Sequence, residues 1–99
     1  MILKKRKLMT LVIEASLAHR LEEDILKAGA KGFTSSIAHG EGPRNQRVSD
    51  IEGGNVRIET VVSDEVLEKI LEKLRTDYFP HYAISCWVSD VEVVRDERY

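Results

Sequence analysis

The chain has 99 residues, 42% of them hydrophobic, and a formal net charge of -2; that length fits one domain, for which oligomerisation is a natural way to enlarge a small core. A charge this close to zero argues against a general nucleic-acid binder, which carries a strongly basic face, and no apolar stretch approaches bilayer-spanning length. The single cysteine, Cys86, excludes an intramolecular disulfide and reads as a buried, inert thiol between Ile84 and Val88.

In chain order, Lys4, Lys5, Arg6 and Lys7 form a basic run. With no aromatic residue interleaved, it reads as a solvated, partly frayed terminus rather than a binding patch. Leu8 to Ile13 is too short for a signal-peptide core, so a cytoplasmic protein is expected. KLMTLVIE, residues 7–14, predicts a strand apolar enough to be covered on both faces. Ser16 is placed to cap a helix with Ala18, Leu21, Ile25 and Ala28 at helical spacing and Glu22, Glu23 and Lys27 facing out. Gly29 supplies the stop.

Phe33 to Ala38 predicts a second, weaker strand, and Asn55 to Val62 a third, with Val56, Ile58 and Val62 on one face and Arg57, Glu59 and Val61 on the other. Ser63, Asp64 and Glu65 open a second helix with the apolar stripe Val66, Leu67, Ile70, Leu71, Leu74 and Tyr78, and Pro80 ends it. Tyr82 to Val94 is the last extended segment; its apolar parity changes midway, which a bulge near Ser89 and Asp90 would reconcile. The tail RDERY carries no clear structural signal. The order strand, helix, strand, strand, helix, strand is an α+β, ferredoxin-like βαββαβ sandwich. Two helices cover one sheet face only, so neighbouring subunits are expected to cover the other.

This fold hosts many activities, so the residues must discriminate. RNA recognition through the sheet needs stacking aromatics on the central strands, and neither KLMTLVIE nor NVRIETVV has one. A metal carrier needs a CxxC pair or a spaced His/Cys cluster; one cysteine and the scattered His19, His39 and His81 provide no metal site. The turn EASLA lacks the arginine and phosphate cradle of an acylphosphatase-like enzyme. Glu22, Glu23 and Asp24 read as a solvated helix face, and no nucleophile constellation is present, so an enzyme is not expected.

That leaves the segment between the second and third strands. Gly40 to Gly54 spans fifteen residues without helix or strand periodicity, longer than an ordinary hairpin connection and therefore a place to look for function. At its start, GEGPRNQR, Gly40 and Gly42 let backbone approach a ligand, Arg44 and Arg47 offer two guanidinium forks, and Asn45 adds a neutral donor and acceptor. These groups suit phosphate or another anion, although a soluble hairpin tip has the same composition.

Three stretches, GFTSSIAHGEGPRN, NVRIETVVSDEVLEKILEKL and YAISCWVSDVEV, resemble the PII-like signalling proteins in the order of that family's fold. The GxGxRNxR form of Gly40 to Arg47 is most similar to the branch associated with carboxysomes and bicarbonate uptake. The resemblance implies one PII-like domain over residues 1–99 that assembles as a homotrimer and binds an adenine nucleotide (AMP, ADP, ATP or cyclic AMP) in clefts between subunits. Residues 40–54 would be the T-loop, which changes conformation and docks a protein target such as a transporter or a carbon-metabolism protein. By position, Thr34, Gly40, Gly42, Glu59 and Val61 would lie near adenine or ribose, and Arg44, Asn45 and Arg47 would take the phosphates, with bicarbonate a candidate co-ligand. No covalent cofactor, nucleic acid or membrane insertion is implied. The chain departs from the family in lacking a GxGK-type phosphate loop and any tyrosine within 40–54, which favours a mono- or diphosphate and gives no support to uridylylation. The competing expectation is a trimeric protein-interaction module that works without nucleotide.

Overall fold

A computed structural model describes residues 2–40 and 54–99. The elements are β1 (Lys4–Glu14), α1 (Ala15–Lys27), β2 (Thr34–Ala38), β3 (Asn55–Val62), α2 (Asp64–Asp77) and β4 (Ser85–Val93), followed by a short 3-10 turn at Asp96–Arg98. Among the described residues the strand pairings are antiparallel and the sheet order is β2-β3-β1-β4. This is the βαββαβ arrangement expected from the sequence, within a residue or two at most boundaries.

The sheet's helix-side face and the two helices form the core. Met9, Leu11 and Ile13 alternate along β1, with Leu11 opposite Ile58 and Met9 opposite Thr60 on β3. Leu21, Ile25, Ile70 and Leu74 close over them, all buried. Helix α1 stops at a Schellman turn: Gly29 N–H donates to the Leu26 carbonyl at 3.1 Å and Ala30 N–H to Ile25 at 3.2 Å. Gly29 has φ 120°, and a Cβ there would stand 3.1 Å from Val66 on α2, so glycine serves both the backbone and the helix packing. At α2, Ser63 Oγ accepts from Val66 N–H at 3.3 Å, as expected of a cap.

Several expectations are corrected. The basic run is not a frayed end: Lys4 to Lys7 lie in β1 and pair with Asp90 to Val93 of β4. Asp90 and Glu92 stand opposite Lys7 and Lys5, so charge complementarity across the ladder joins its backbone hydrogen bonds, and Lys7 Nζ donates to Asp90. That hydrogen bond holds the Asp90 carboxyl below the usual carboxylate range. Strand β4 has no bulge: its register with β1 is continuous from Lys4↔Val93 to Val12↔Ser85. The parity change instead marks where burial passes from the helix-side face, with half-buried Ile84 and Cys86, to the opposite face, with buried Val93. Cys86 is half-buried, and that burial raises its thiol pKa.

Ser16 is not the cap of α1. The helix begins at Ala15 with Glu14, two residues before Ser16, at the cap position, and Ala15 N–H donates to the Gly54 carbonyl at 2.9 Å. A backbone partner thus satisfies an end that the sequence assigned to a side chain. Asp24 is not part of a solvated face either. It accepts the Tyr78 phenol at 2.5 Å, a bond that ties α1 to the end of α2 beneath Arg20, whose guanidinium lies 5.0 Å from the Tyr78 ring centre. Burial, then the Asp24 carboxylate, push the Tyr78 phenol well above its ordinary pKa. Glu22 likewise accepts from Ser35 of β2 at 2.5 Å. No helix among the described residues is long and apolar enough to cross a membrane.

Candidate functional site

The helix-free face of the sheet is mixed. Leu8, Thr10 and Val12 of β1 stand opposite Val61, Glu59 and Arg57 of β3, and Thr10 also faces Trp87 of β4. The Arg57 guanidinium lies 6.0 Å from the Trp87 ring centre and 3.7 Å from the Glu59 carboxylate. Thr10, a residue 2% exposed although it lies on the helix-free face, donates its hydroxyl to Glu59 at 3.5 Å. Glu59 is thereby oriented by two neighbours while remaining partly open to solvent, the arrangement that suits a polar ligand contact.

At the end of this face where β2 begins, a cleft of about 420 Å³ opens. Thr34, Glu59 and Val61 all line it. The register explains why: Thr34 pairs directly with Glu59, and Val61 lies two residues further along the same face of β3. Thr60, pointing the other way, donates its hydroxyl to the Gly32 carbonyl at 2.7 Å and pins the turn into β2. The polar Thr34 and Glu59 therefore share the cleft with the apolar Leu8, Phe33 and Val61.

Sequence reasoning missed the remaining wall. The tail folds back so that Arg98 and Tyr99 line the cleft, and Lys31 Nζ donates to the Glu97 carbonyl at 3.0 Å. No periodicity or motif in RDERY signals this return. The pairing of β4 with β1 ends at Val93 opposite Lys4, and the tail reaches the cleft beside Leu8 only by turning back from there, which is a tertiary fact.

The other expected site residues divide. Gly40 is described, but it lies two residues beyond the end of β2 and does not line the cleft. Thr34 to Ala38 alone spans about 13 Å at the strand rise. A Cβ at Gly40 would meet nothing within 4 Å among the described residues, so packing inside this chain does not require glycine there. Gly42, Arg44, Asn45 and Arg47 fall outside the described residues. Among those described, no group of three or more His, Cys, Asp or Glu side chains could hold a metal ion.

Comparisons with known proteins add a lineage to this geometry. The family model for nitrogen regulatory protein P-II matches residues 6–98. A PII-like signaling protein from Thermus thermophilus is 46% identical, with 100% of this chain and 99% of that one covered and a TM-score of 0.85. CPII from Thiomonas intermedia, bound to ADP and bicarbonate, is 20% identical over 98% of this chain and 96% of its own, with a TM-score of 0.87. The same protein bound to ADP, AMP and bicarbonate gives 20% identity, coverage of 98% and 95%, and a TM-score of 0.88. At that identity the CPII likeness speaks for the fold.

Proposed function

Since the chain belongs to the nitrogen regulatory protein P-II family, we propose that it is a non-enzymatic signalling protein whose homotrimer binds an adenine nucleotide between subunits and reports occupancy to a protein target through residues 40–54. Thr34, Glu59 and Val61 contact adenine or ribose from one subunit. Gly40 and Gly42 approach the same ligand from the next, and Arg44, Asn45 and Arg47 take its phosphates.

The observation that carries this reading is the separation of the two half-sites. The cleft gathers Thr34, Glu59 and Val61 at one end of β2, whereas the loop base starts beyond the other end at Gly40. Those groups meet on one small ligand when a second copy brings its loop base to the cleft, as a heterologous ring interface does. The helix-free face, with Leu8 and Val12 half-buried and Trp87 exposed, offers such an interface an apolar surface. Among the described residues nothing stands within 4 Å of a Cβ at Gly40, in keeping with a ligand approaching there. The CPII complexes with ADP, AMP and bicarbonate support the ligand class and the choice of bicarbonate as co-ligand, and the proposal extends to inorganic-carbon metabolism with a transporter or carbon-metabolism protein as the target. Nucleotide shifts the loop by binding one of its arrangements more tightly than another.

Calorimetry with AMP, ADP, ATP and cyclic AMP tests the reading. Each charged hydrogen bond contributes about 1.5–3 kcal/mol, so Arg44→Ala/Arg47→Ala should weaken ADP binding by at least about a hundredfold. Unchanged affinity in that double variant would remove the phosphate role. A trimer that gives no heat with any adenylate would point to the nucleotide-independent interaction module.

A further inference from the structure

The cleft has an unequal lining, and the inequality points to a particular part of the ligand. Phe33 stands just before β2, Tyr99 arrives with the C-terminal turn, and both residues line the cleft while each stays 37% exposed. An aromatic ring left that open by its own chain at the wall of a cavity is available to a flat partner, because aromatic faces pack best against other planar groups. Tyr99 also reaches the cleft by a dedicated device. The tail makes a 3-10 turn at Asp96–Arg98, closed by Tyr99 N–H donating to Asp96 at 3.1 Å, and Lys31 grips that turn through the Glu97 carbonyl.

We propose that Phe33 and Tyr99 form a stacking clamp for the ligand's heterocyclic base, and that Lys31 is a positioning residue which holds the Tyr99 side of the clamp in place. The inference rests on the nucleotide reading above and adds residues to it. Stacking is indifferent to phosphate number, so the clamp contributes equally to a nucleoside, a monophosphate and a diphosphate. A tether to a backbone carbonyl works by holding the turn ready before the ligand arrives, which lowers the ordering cost of binding.

The test is calorimetry with adenosine, AMP and ADP on the full chain, with particle mass and far-UV circular dichroism checked for each variant. Tyr99→Ala should weaken all three ligands about tenfold, within the range that base–aromatic stacking contributes. Tyr99→Phe keeps the ring and should stay within about twofold of wild type. Phe33→Leu, which keeps apolar bulk without a π face, should lose about as much as Tyr99→Ala. Lys31→Met should weaken all three about threefold, with Lys31→Arg restoring the wild-type value. Wild-type affinity in Tyr99→Ala overturns the clamp while leaving the nucleotide reading intact. Loss with ADP but not adenosine also overturns it, because Tyr99 would then act on phosphate. A wild-type protein that binds none of the three overturns the nucleotide reading and the clamp together.

Discussion

The two faces of the sheet are made by the same strands, yet they follow different rules. Toward the helices, Met9, Leu11, Ile13, Ile58 and Val62 are at most 1% exposed and belong to one apolar cluster. On the other face, Leu8, Thr10 and Val12 share space with Arg57, Glu59, Val61 and Trp87, so charge, hydroxyl and aromatic ring are interleaved. The first face is complete within one chain, and its chemistry is that of a core. The second holds a partly exposed carboxylate between an arginine and a threonine and ends in a cleft, the arrangement of a binding surface rather than of a core.

The sharpest way to break this contrast is a pair of substitutions at adjacent residues. Leu11→Ala removes fully buried volume from the helix-side face and should lower stability by about 3 kcal/mol in urea titration, within the usual range for such cavities. Val12→Lys, pointing the other way, should preserve far-UV circular dichroism while shifting the mass in light scattering from the proposed trimer toward monomer, so that Trp87, the only tryptophan and already 46% exposed in the single chain, loses the cover that the proposed interface gives it. If both variants unfold alike, the two faces are not distinct.

Tyr78→Phe probes the helix layer more gently. Loss of the Asp24 bond should cost about 1–2 kcal/mol, since a charged partner is involved and Asp24 is left without that donor. The variant also has a pH signature. Folding raises the phenol's pKa, so above about pH 10 the unfolded chain loses a proton that the folded chain keeps, and stability declines as pH rises from there. Tyr78→Phe should flatten that alkaline limb, and a wild-type curve with no decline would contradict the burial of the phenol.

On the open face, Glu59→Gln keeps shape and removes charge. Stability should change by less than about 0.5 kcal/mol, while adenylate affinity should fall about tenfold, or about 1.4 kcal/mol. A stability loss without an affinity loss would return Glu59 to ordinary sheet packing. The smallest expected effect is Asp90→Asn at the exposed β1–β4 pair. Because folding lowers the Asp90 pKa, its contribution is present above about pH 4 and disappears as pH falls through the lowered value. The variant should therefore match wild type at low pH and fall slightly below it at neutral pH in thermal melts.

Much of this molecule was legible as one-dimensional pattern. Period-two alternation in NVRIETVV located β3 and its two faces, and the stripe from Val66 to Tyr78 located α2, because each pattern reports the geometry of a single element. Thr34, Glu59 and Val61 could be nominated through the family resemblance, and the β2–β3 register then brings them together. What escaped depends on partners distant in sequence. Lys4 to Lys7 looked frayed because the sequence near them does not mention Asp90 and Glu92; Asp24 looked solvated because Tyr78 lies fifty-four residues away. The wall formed by Lys31, Arg98 and Tyr99 had no local signal at all.

The order of elements, the apolar stripes and the position of the long segment 40–54 follow from the amino-acid sequence alone, since helix and strand periods are local consequences of backbone geometry. Which carboxylate accepts from Tyr78, how far β1 extends, and how the tail comes to close a cleft beside Glu59 were decided by the tertiary structure. Those features depend on pairings between distant segments, and such pairings exist only after the sheet register has been set.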